Sequence, residues 1–293
     1  MPSSEQRSSS AAGVLYVIAT PIGNLDDLTD RARHLLAKAD LVAAEDTRHT
    51  GRLLQHLGLD KPMMALHDHN ERARAATIVA ALRRGENIAL VSDAGTPLIS
   101  DPGYVVVRDV RAAGFQVSPV PGACALVAAL SAAGLPTDHF LFAGFLPAKR
   151  SGRQAAMKAR ARETATLVYY ESPHRILDMM ADALEVFGAE RICVLGRELT
   201  KAFETFYAGT TREVLDALTA DPNGTRGEFV VMFQGAAPEP ASEAVNMDAD
   251  RLLALLTAEM PVKKAAKIVA EVSGLAKNDL YQRALALKDS AGN

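Results

Sequence analysis

Three strings in the first half of the chain carry residue types suited to holding a polar ligand by its edges. Ser92-Asp93-Ala94-Gly95-Thr96-Pro97-Leu98-Ile99-Ser100-Asp101-Pro102-Gly103 places two glycines, two prolines and two aspartates within twelve residues. Proline stiffens such a loop, glycine lets backbone approach a ligand closely, and Asp93 offers a carboxylate to a ligand hydroxyl or amine. Thr20-Pro21-Ile22-Gly23-Asn24-Leu25 and Pro119-Val120-Pro121-Gly122-Ala123-Cys124-Ala125 are turns of the same kind. Each follows an apolar run and leads into a helical pattern, so the three predict one crevice at the end of one sheet. Neither G-x-G-x-x-G nor G-x-x-x-x-G-K-[ST] occurs, so the crevice lacks the phosphate-cradling signatures of nucleotide sites.

Further titratable residues cluster at strand ends. Glu45-Asp46-Thr47-Arg48-His49 puts acids and bases beside the crevice, and Tyr169-Tyr170-Glu171-Ser172-Pro173-His174-Arg175 adds aromatic, acidic and basic groups. His67-Asp68-His69-Asn70-Glu71 superficially resembles a metal-ligand run, but no third ligand is evident, and a helix N-terminus with solvated histidines is the expected role. Cys124 has no matched His/Asp partner and reads as a small residue in close packing. No G-x-S-x-G, glycosidase carboxylate pair or C-x-x-C appears. Two basic tracts stand apart. Pro147 to Arg162 holds Lys149, Arg150, Arg153, Lys158, Arg160 and Arg162 without an acid, and Lys263, Lys264 and Lys267 share one C-terminal helix.

These groups are positioned by alternating strands and helices. Val14–Ala19, Leu41–Ala44, Ile88–Val91 and Gln116–Val120 read as strands, with helices over Leu28–Ala39, Glu71–Arg84, Val105–Ala113 and Ala123–Ala133. This predicts a mostly parallel, helix-covered sheet. A second block holds strand candidates Phe140–Phe145, Thr166–Tyr170, Arg191–Leu195, Glu204–Ala208 and Glu228–Phe233. Helices near Gln154–Arg162, Pro173–Phe187 and Thr211–Thr219 separate most of them, and the close spacing after residue 190 predicts a mixed sheet. A Pro/Ala/Glu-rich stretch then leads to helices at Ala249–Glu259, Val262–Val272 and Ala276–Lys288. Ala270, Gly274 and Leu280 have the offsets of a helix-turn-helix: a small crossing residue, a turn glycine and a core anchor. The expected boundaries are a disordered tail 1–13, α/β domains 14–136 and 137–235, a linker 236–248 and a helical domain 249–288.

Composition narrows the class. In 293 residues, 32 Lys+Arg against 35 Asp+Glu give a net charge of −3, so any nucleic-acid contact must come from local patches. Two cysteines 69 residues apart exclude a disulfide scaffold and suit a reducing cytoplasm. The apolar stretch from Ala11 to Thr20 is too short to span a membrane and lacks a signal-peptide cleavage pattern, so a cytoplasmic protein with no membrane partner is expected.

Eight strings resemble one family in order: TPIGNLDDLTDRA, AEDTRHTGRLLQHLG, SDAGTPLISDPGY, VPGACALVAALSAAGLP, FLPAKRSGR, YYESPHRI, GRELTKAFET and GEFVVMFQG. Together they look like the small-subunit ribosomal RNA methyltransferase branch of the tetrapyrrole methylase superfamily, and the C-terminal helices resemble that branch's helix-turn-helix extension. The resemblance implies paired α/β domains with S-adenosylmethionine (SAM) in the cleft between them, commonly as a homodimer. It implies 2′-O-methylation of a cytidine ribose in the decoding region of 16S ribosomal RNA, as naked RNA or in the small ribosomal subunit. By analogy, Ile22, Asp93, Gly95, Thr96, Cys124, Ala125, Tyr170 and Glu228 occupy SAM-contacting positions, and no metal is expected. Glu45, Asp46 and Glu171 are candidates for a base at the 2′-hydroxyl, with none singled out. Arg48, Lys149, Arg150, Arg153 and Arg175 are the expected phosphate contacts, with Lys263, Lys264 and Lys267 adding RNA grip. The rival readings are a methylase acting on a tetrapyrrole and a non-catalytic nucleic-acid-binding protein.

Overall fold

A computed structural model of the chain describes residues 12–67, 69–237 and 241–290, with 241–248 and 288–290 described by backbone alone. Most of the expected tail 1–13, Asp68 and linker residues 238–240 lie outside the described residues. The chain divides into two compact units, one ending at Ala236 and one beginning at Ala237.

The first unit contains two five-stranded sheets. Strands β1 (Val14–Ile18), β2 (Leu41–Ala44), β3 (Met63–Ala65), β4 (Ile88–Val91) and β5 (Gln116–Val120) are parallel in the order β3-β2-β4-β1-β5. Alternate side chains serve opposite faces. Ile18, Val42, Ala44 and Val91 pack under helices α1 (Asp30–Lys38) and α2 (Thr47–His56). Leu15, Ala43, Ile88 and Leu90 pack under α3 (Glu71–Arg83) and α4 (Tyr104–Ala112). The neighbouring strands β1 and β4 send their connections in opposite directions along the sheet, which opens a crevice beyond their carboxyl ends.

The second sheet is built from β6 (Phe140–Phe145), β7 (Thr166–Glu171), β8 (Ile192–Arg197), β9 (Thr205–Thr210) and β10 (Phe229–Phe233), in the order β6-β7-β10-β8-β9. Only β6 and β7 pair in parallel, so the sheet is mixed, as expected. One face carries α6 (Arg150–Lys158), α7 (Ile176–Phe187) and α8 (Thr211–Ala220) over Leu167, Tyr169, Leu195, Val231 and Phe233. The other receives α5 (Ala125–Ala132), the small-residue helix that leaves the first sheet. Leu126, Ala129 and Leu130 pack there on Val168, Val194, Val230 and Met232. That helix joins the two halves through one apolar seam.

The second unit packs α9 (Ala241–Glu259), α10 (Val262–Ser273) and α11 (Lys277–Ser290) around Leu253, Ala266, Val269, Leu280 and Ala284. Gly274 ends α10 in the left-handed region at φ 72°, and its N–H donates to the Ala270 carbonyl. Gly274 and Leu280 therefore stand as the turn glycine and core anchor the sequence pattern predicts.

Four elements depart from expectation. Neither α2 nor β3 is evident in the sequence, because α2 is mostly polar with Gly51 inside it and β3 is three residues long. Helix α6 begins at Arg150 rather than Gln154, with Gly152 masking its start. Helix α9 reaches back to Ala241, into the stretch read as a linker.

Glu71 shows how a buried charge positions the long loop. It is buried, and its Oε1 accepts from the N–H groups of Gly103 (3.0 Å), Val105 (2.6 Å) and Val106 (3.3 Å), the start of α4. A carboxylate there satisfies orphan donors and opposes the positive end of the helix dipole. Glu71→Ala is expected to cost about 3 kcal/mol in urea unfolding, because charge-assisted bonds are lost and buried donors are left unpaired. A loss under about 0.5 kcal/mol would show that water replaces the carboxylate.

Candidate active site

The loops after β1, β4 and β5 are tied to each other by backbone. Thr20 N–H donates to the Gly95 carbonyl at 2.9 Å and Gly95 N–H returns to the Thr20 carbonyl at 3.0 Å. The Thr96 hydroxyl donates to the Ala123 carbonyl at 3.0 Å, bringing in the third turn. Gly95 sits at φ +81°, and a Cβ there would lie 3.2 Å from Ile22 Cγ2, so both backbone conformation and space favour glycine.

Between these loops and the second sheet lies a cavity of about 390 Å³. Ile22, Gly95, Thr96, Cys124 and Ala125 line it from the first half, and Tyr170, Leu199, Glu228 and Val230 from the second. The Tyr170 hydroxyl accepts from Leu126 N–H at 3.0 Å, and its ring meets Phe142 and Phe145 edge-on at 4.8 and 5.8 Å. Burial, reinforced by the neighbouring Cys124 thiol, pushes the Tyr170 phenol up, so it stays protonated. Four non-glycine residues adopt positive φ beside the cavity: Leu98 (74°), Ser100 (71°), Glu198 (51°) and Thr200 (66°). Such conformations cost on the order of 1–3 kcal/mol each and gather where a loop is shaped for a ligand.

The cavity is rich in carboxylates: Glu45, Asp93, Asp101, Glu171 and Glu228 all line it. Asp93 is held by its neighbours. Its Oδ1 accepts from Asp46 N–H at 3.0 Å, while its own N–H points at Glu45 Oε2 at 3.4 Å. The Glu171 side chain is fully buried, accepts from Ser172 N–H at 2.8 Å and lies 3.2 Å from the Arg175 guanidinium. Asp101 is different. Burial, reinforced by the charges of Glu45 and Asp93 against a counteracting Ser92 hydrogen bond, pushes its carboxyl up to about 6. Among the described residues one cation, Lys201, is on the lining, paired with Glu198 at 2.7 Å and Glu228 at 3.0 Å.

Comparison with known proteins decides the family. Residues 14–215 match the family described as Tetrapyrrole (Corrin/Porphyrin) Methylases, and residues 243–288 match the RsmI C-terminal HTH domain. The ribosomal RNA small subunit methyltransferase I of Pseudomonas aeruginosa is 53% identical over 94% of this chain and 98% of its own length. That of Haemophilus influenzae is 51% identical over 94% and 97%. The chain belongs to the ribosomal RNA small subunit methyltransferase I family. Solved structures share the fold: the methyltransferase CobJ has a TM-score of 0.58 at 20% identity, covering 78% of this chain and 97% of its own. A Thermus thermophilus uroporphyrin-III C-methyl transferase complexed with S-adenosyl homocysteine scores 0.53 at 18% identity, covering 75% and 97%. The two-sheet tetrapyrrole methylase fold with a helix-turn-helix-like extension is thus the architecture of this family member.

Within this fold, all eight residues placed at SAM-contacting positions line the one cavity, as do Glu45 and Glu171. Asp46 does not. Its carboxylate caps α2 through Arg48 N–H and grips the Arg48 guanidinium, which holds it well below the usual carboxylate range. Such a group is a poor proton acceptor, so Asp46 is corrected from candidate base to the residue whose backbone orients Asp93. Arg48 is exposed yet already carries that carboxylate. Sequence reasoning overlooked Asp101, although it lies in the same twelve-residue loop as Asp93. It also overlooked Lys201, whose pairing needs β10 beside the turn after β8.

The basic tract needs a larger correction. Arg153 is buried, with its Nε 2.6 Å from the equally buried Asp182, so it is not a surface phosphate contact. Arg150 joins Asp182 at 2.9 Å and also pairs with Glu185, which occupies most of its charge. Arg175 turns inward to the carbonyls of Leu146 (2.6 Å) and Pro147 (3.3 Å). Acids 29 to 35 residues further on thus pair with Arg150 and Arg153 in a stretch that reads as purely basic. Lys149 on the approach to α6 and Lys263, Lys264 and Lys267 on α10 remain exposed, Lys267 lying 3.8 Å from Glu271. Of the His67–Glu71 run, Asp68 lies outside the described residues, Glu71 serves α4, and the imidazoles of His67 and His69 meet edge-on at 6.2 Å.

Breaking the Arg153–Asp182 pair leaves a buried carboxylate with partial compensation from Arg150 and Gln154. Arg153→Ala is expected to cost about 3 kcal/mol in urea unfolding, at the low end for buried pairs. A loss within 0.5 kcal/mol, typical of exposed ion pairs by order of magnitude, would return Arg153 to the surface.

Proposed function

We propose that this protein transfers a methyl group from SAM to the 2′-hydroxyl of a cytidine in the decoding region of 16S ribosomal RNA. The observation that carries this reading is 53% identity across 94% of the chain with a relative named for ribosomal RNA methylation. That likeness spans the catalytic fold and the helix-turn-helix alike. Solved tetrapyrrole methylases, by contrast, are 17–23% identical and share the fold alone, so a tetrapyrrole acceptor has less support.

The cavity suits the methyl donor. SAM carries no phosphate and has cationic sulfonium and ammonium groups, and five carboxylates line the cavity while the one lining cation among the described residues is already paired. Asp93 would hold a polar part of the donor. The backbone at Gly95, Thr96, Cys124 and Ala125 would flank its adenosyl and methionyl parts, with Ile22, Tyr170 and Glu228 completing the wall. SAM brings an activated methyl group, so the protein's main task is to align acceptor oxygen, methyl carbon and sulfur.

Proton removal from the 2′-hydroxyl falls to a carboxylate of the same lining. Glu45 and Glu171 remain candidates from the sequence, and Asp101 joins them as the carboxyl whose affinity for protons lies nearest neutrality. Lys149 would contact the RNA from the first unit, and Lys263, Lys264 and Lys267 would supply added grip from the helical domain. These phosphate contacts set register without reading base identity. Among the described residues no helix is long and apolar enough to cross a membrane. A cytoplasmic homodimer acting on the small ribosomal subunit, with α/β domains 14–136 and 137–235 and a helical domain 249–288, completes the reading.

Asp101→Asn provides the test, with SAM binding followed by calorimetry and methyl transfer followed on small subunits. The expected result is a SAM affinity reduced far less than kcat, since Glu45, Asp93 and Glu171 remain, and a fall in kcat on the order of 10²-fold, the scale of general-base catalysis. Wild-type kcat should rise with pH through about 6 as Asp101 loses its proton, and the variant should lose that rise. The stability sign is opposite. A carboxyl raised above its unfolded value loses stabilisation as pH climbs from about 4 through 6, so the variant should melt higher than wild type at pH 8. Full activity with an unaltered pH profile would remove Asp101 from proton transfer. Absence of SAM binding by the wild type would overturn the functional reading.

A further inference from the structure

A second cavity, about 380 Å³, adjoins the first and has no role in the reading above. The two share Ile22, Asp93, Ala94, Lys201 and Glu228, so they meet along a common boundary. Helix α2 supplies one wall through His49, Arg52, Leu53 and His56, positions i, i+3, i+4 and i+7 that fall on a single helix face. The opposite wall is apolar, made by Pro21, Ile22 and Leu25 of the turn after β1.

Charge distinguishes this cavity from its neighbour. Of its two permanent cations, Lys201 is tied to Glu198 and Glu228. Arg52 is exposed, and no ion pair involves it among the described residues, unlike Arg48 one turn earlier. Asp93, the remaining acid on the lining, has its Oδ1 occupied by Asp46 N–H. The result is a pocket with an apolar side and a side of guanidinium and imidazole donors. A nucleotide offers the matching pair of surfaces, a flat base or ribose face and an anionic phosphodiester. The volume falls within the roughly 300–1,000 Å³ of ordinary small-ligand pockets.

We propose that this second cavity receives the acceptor nucleotide of the RNA. Its phosphodiester lies on Arg52 with His49 and His56, and its ribose reaches past the shared residues into the first cavity, where the 2′-hydroxyl meets the methyl donor and the carboxylates. Arg52, rather than Arg48, is then the phosphate contact nearest the chemistry. The assignment rests on the ribose-methylation reading and adds where the RNA strand enters. SAM and acceptor meet only along the shared residues, so a change in the α2 face moves the acceptor's affinity and leaves that of SAM in place.

The test compares Arg52→Ala, Arg52→Lys and the charge control Arg72→Ala, which lies on α3 outside both cavities. SAM affinity is measured by calorimetry and methyl transfer on unmethylated small subunits at several salt concentrations. For Arg52→Ala the expected outcome is a KM for the RNA raised about 10-fold, a salt slope reduced by about 1, and SAM affinity unchanged within twofold. Arg52→Lys should recover most of the loss, and Arg72→Ala should match wild type. An unchanged KM and salt slope for Arg52→Ala would overturn the subsite while leaving the activity intact. Equal losses in Arg52→Ala and Arg72→Ala would also overturn it, because general charge would explain both. A wild-type protein that binds SAM yet labels no RNA would overturn the methylation reading and the subsite with it.

Discussion

The two-way backbone bridge between Thr20 and Gly95 is the constraint on which the rest of the site depends. It clamps the turns after β1 and β4, the neighbouring strands whose connections diverge, and so holds the crevice open at a fixed width. Its geometry requires the left-handed backbone at Gly95, and that in turn places Ile22 against the glycine and Thr96 within reach of the Ala123 carbonyl. The third turn then launches α5 onto the second sheet, whose Tyr170 meets the first residues of that helix. One pair of backbone bonds thereby links both sheets to a single cavity.

Around this clamp, charge is graded between the two cavities. Glu45, Asp101 and Glu171 line the first alone, Arg52 and two imidazoles line the second alone, and Asp93, Glu228 and Lys201 line both. That gradient suits the proposed cationic donor on one side and the proposed polyanionic acceptor on the other. Asp101 belongs to the same economy of placement. Crowded by burial and by two neighbouring carboxylates, it is destabilised in its charged form, which makes it more useful as a proton acceptor. Positive φ at Leu98 and Ser100 in the same loop shows that backbone strain and electrostatic strain coincide there.

Much of this arrangement is legible in the sequence because its signals are local. Apolar runs mark the strands, and Gly-Pro-Asp punctuation marks the three turns. Their common position after strands predicts a shared crevice, and all eight resemblance-based contact positions do line one cavity. Tertiary pairing is what the sequence conceals. Arg153 looks like surface charge until α7 brings Asp182 against it, and Asp46 looks like a base until α2 forms at its side. Helix α2 itself escapes notice because Gly51 and a mostly polar surface weaken its periodicity. With it go Arg52 and the second cavity. Lys201 is hidden for the same reason, since its partner Glu228 lies 27 residues away and reaches it only because β10 pairs with β8.

The central claim is that the cavity performs methyl transfer to an RNA ribose. It is tested most directly by incubating the protein with methyl-labelled SAM and small ribosomal subunits lacking the modification, then digesting the RNA to nucleosides. The account predicts label in a single 2′-O-methylcytidine. Label on a base, or none in RNA while SAM binding is intact, would contradict it.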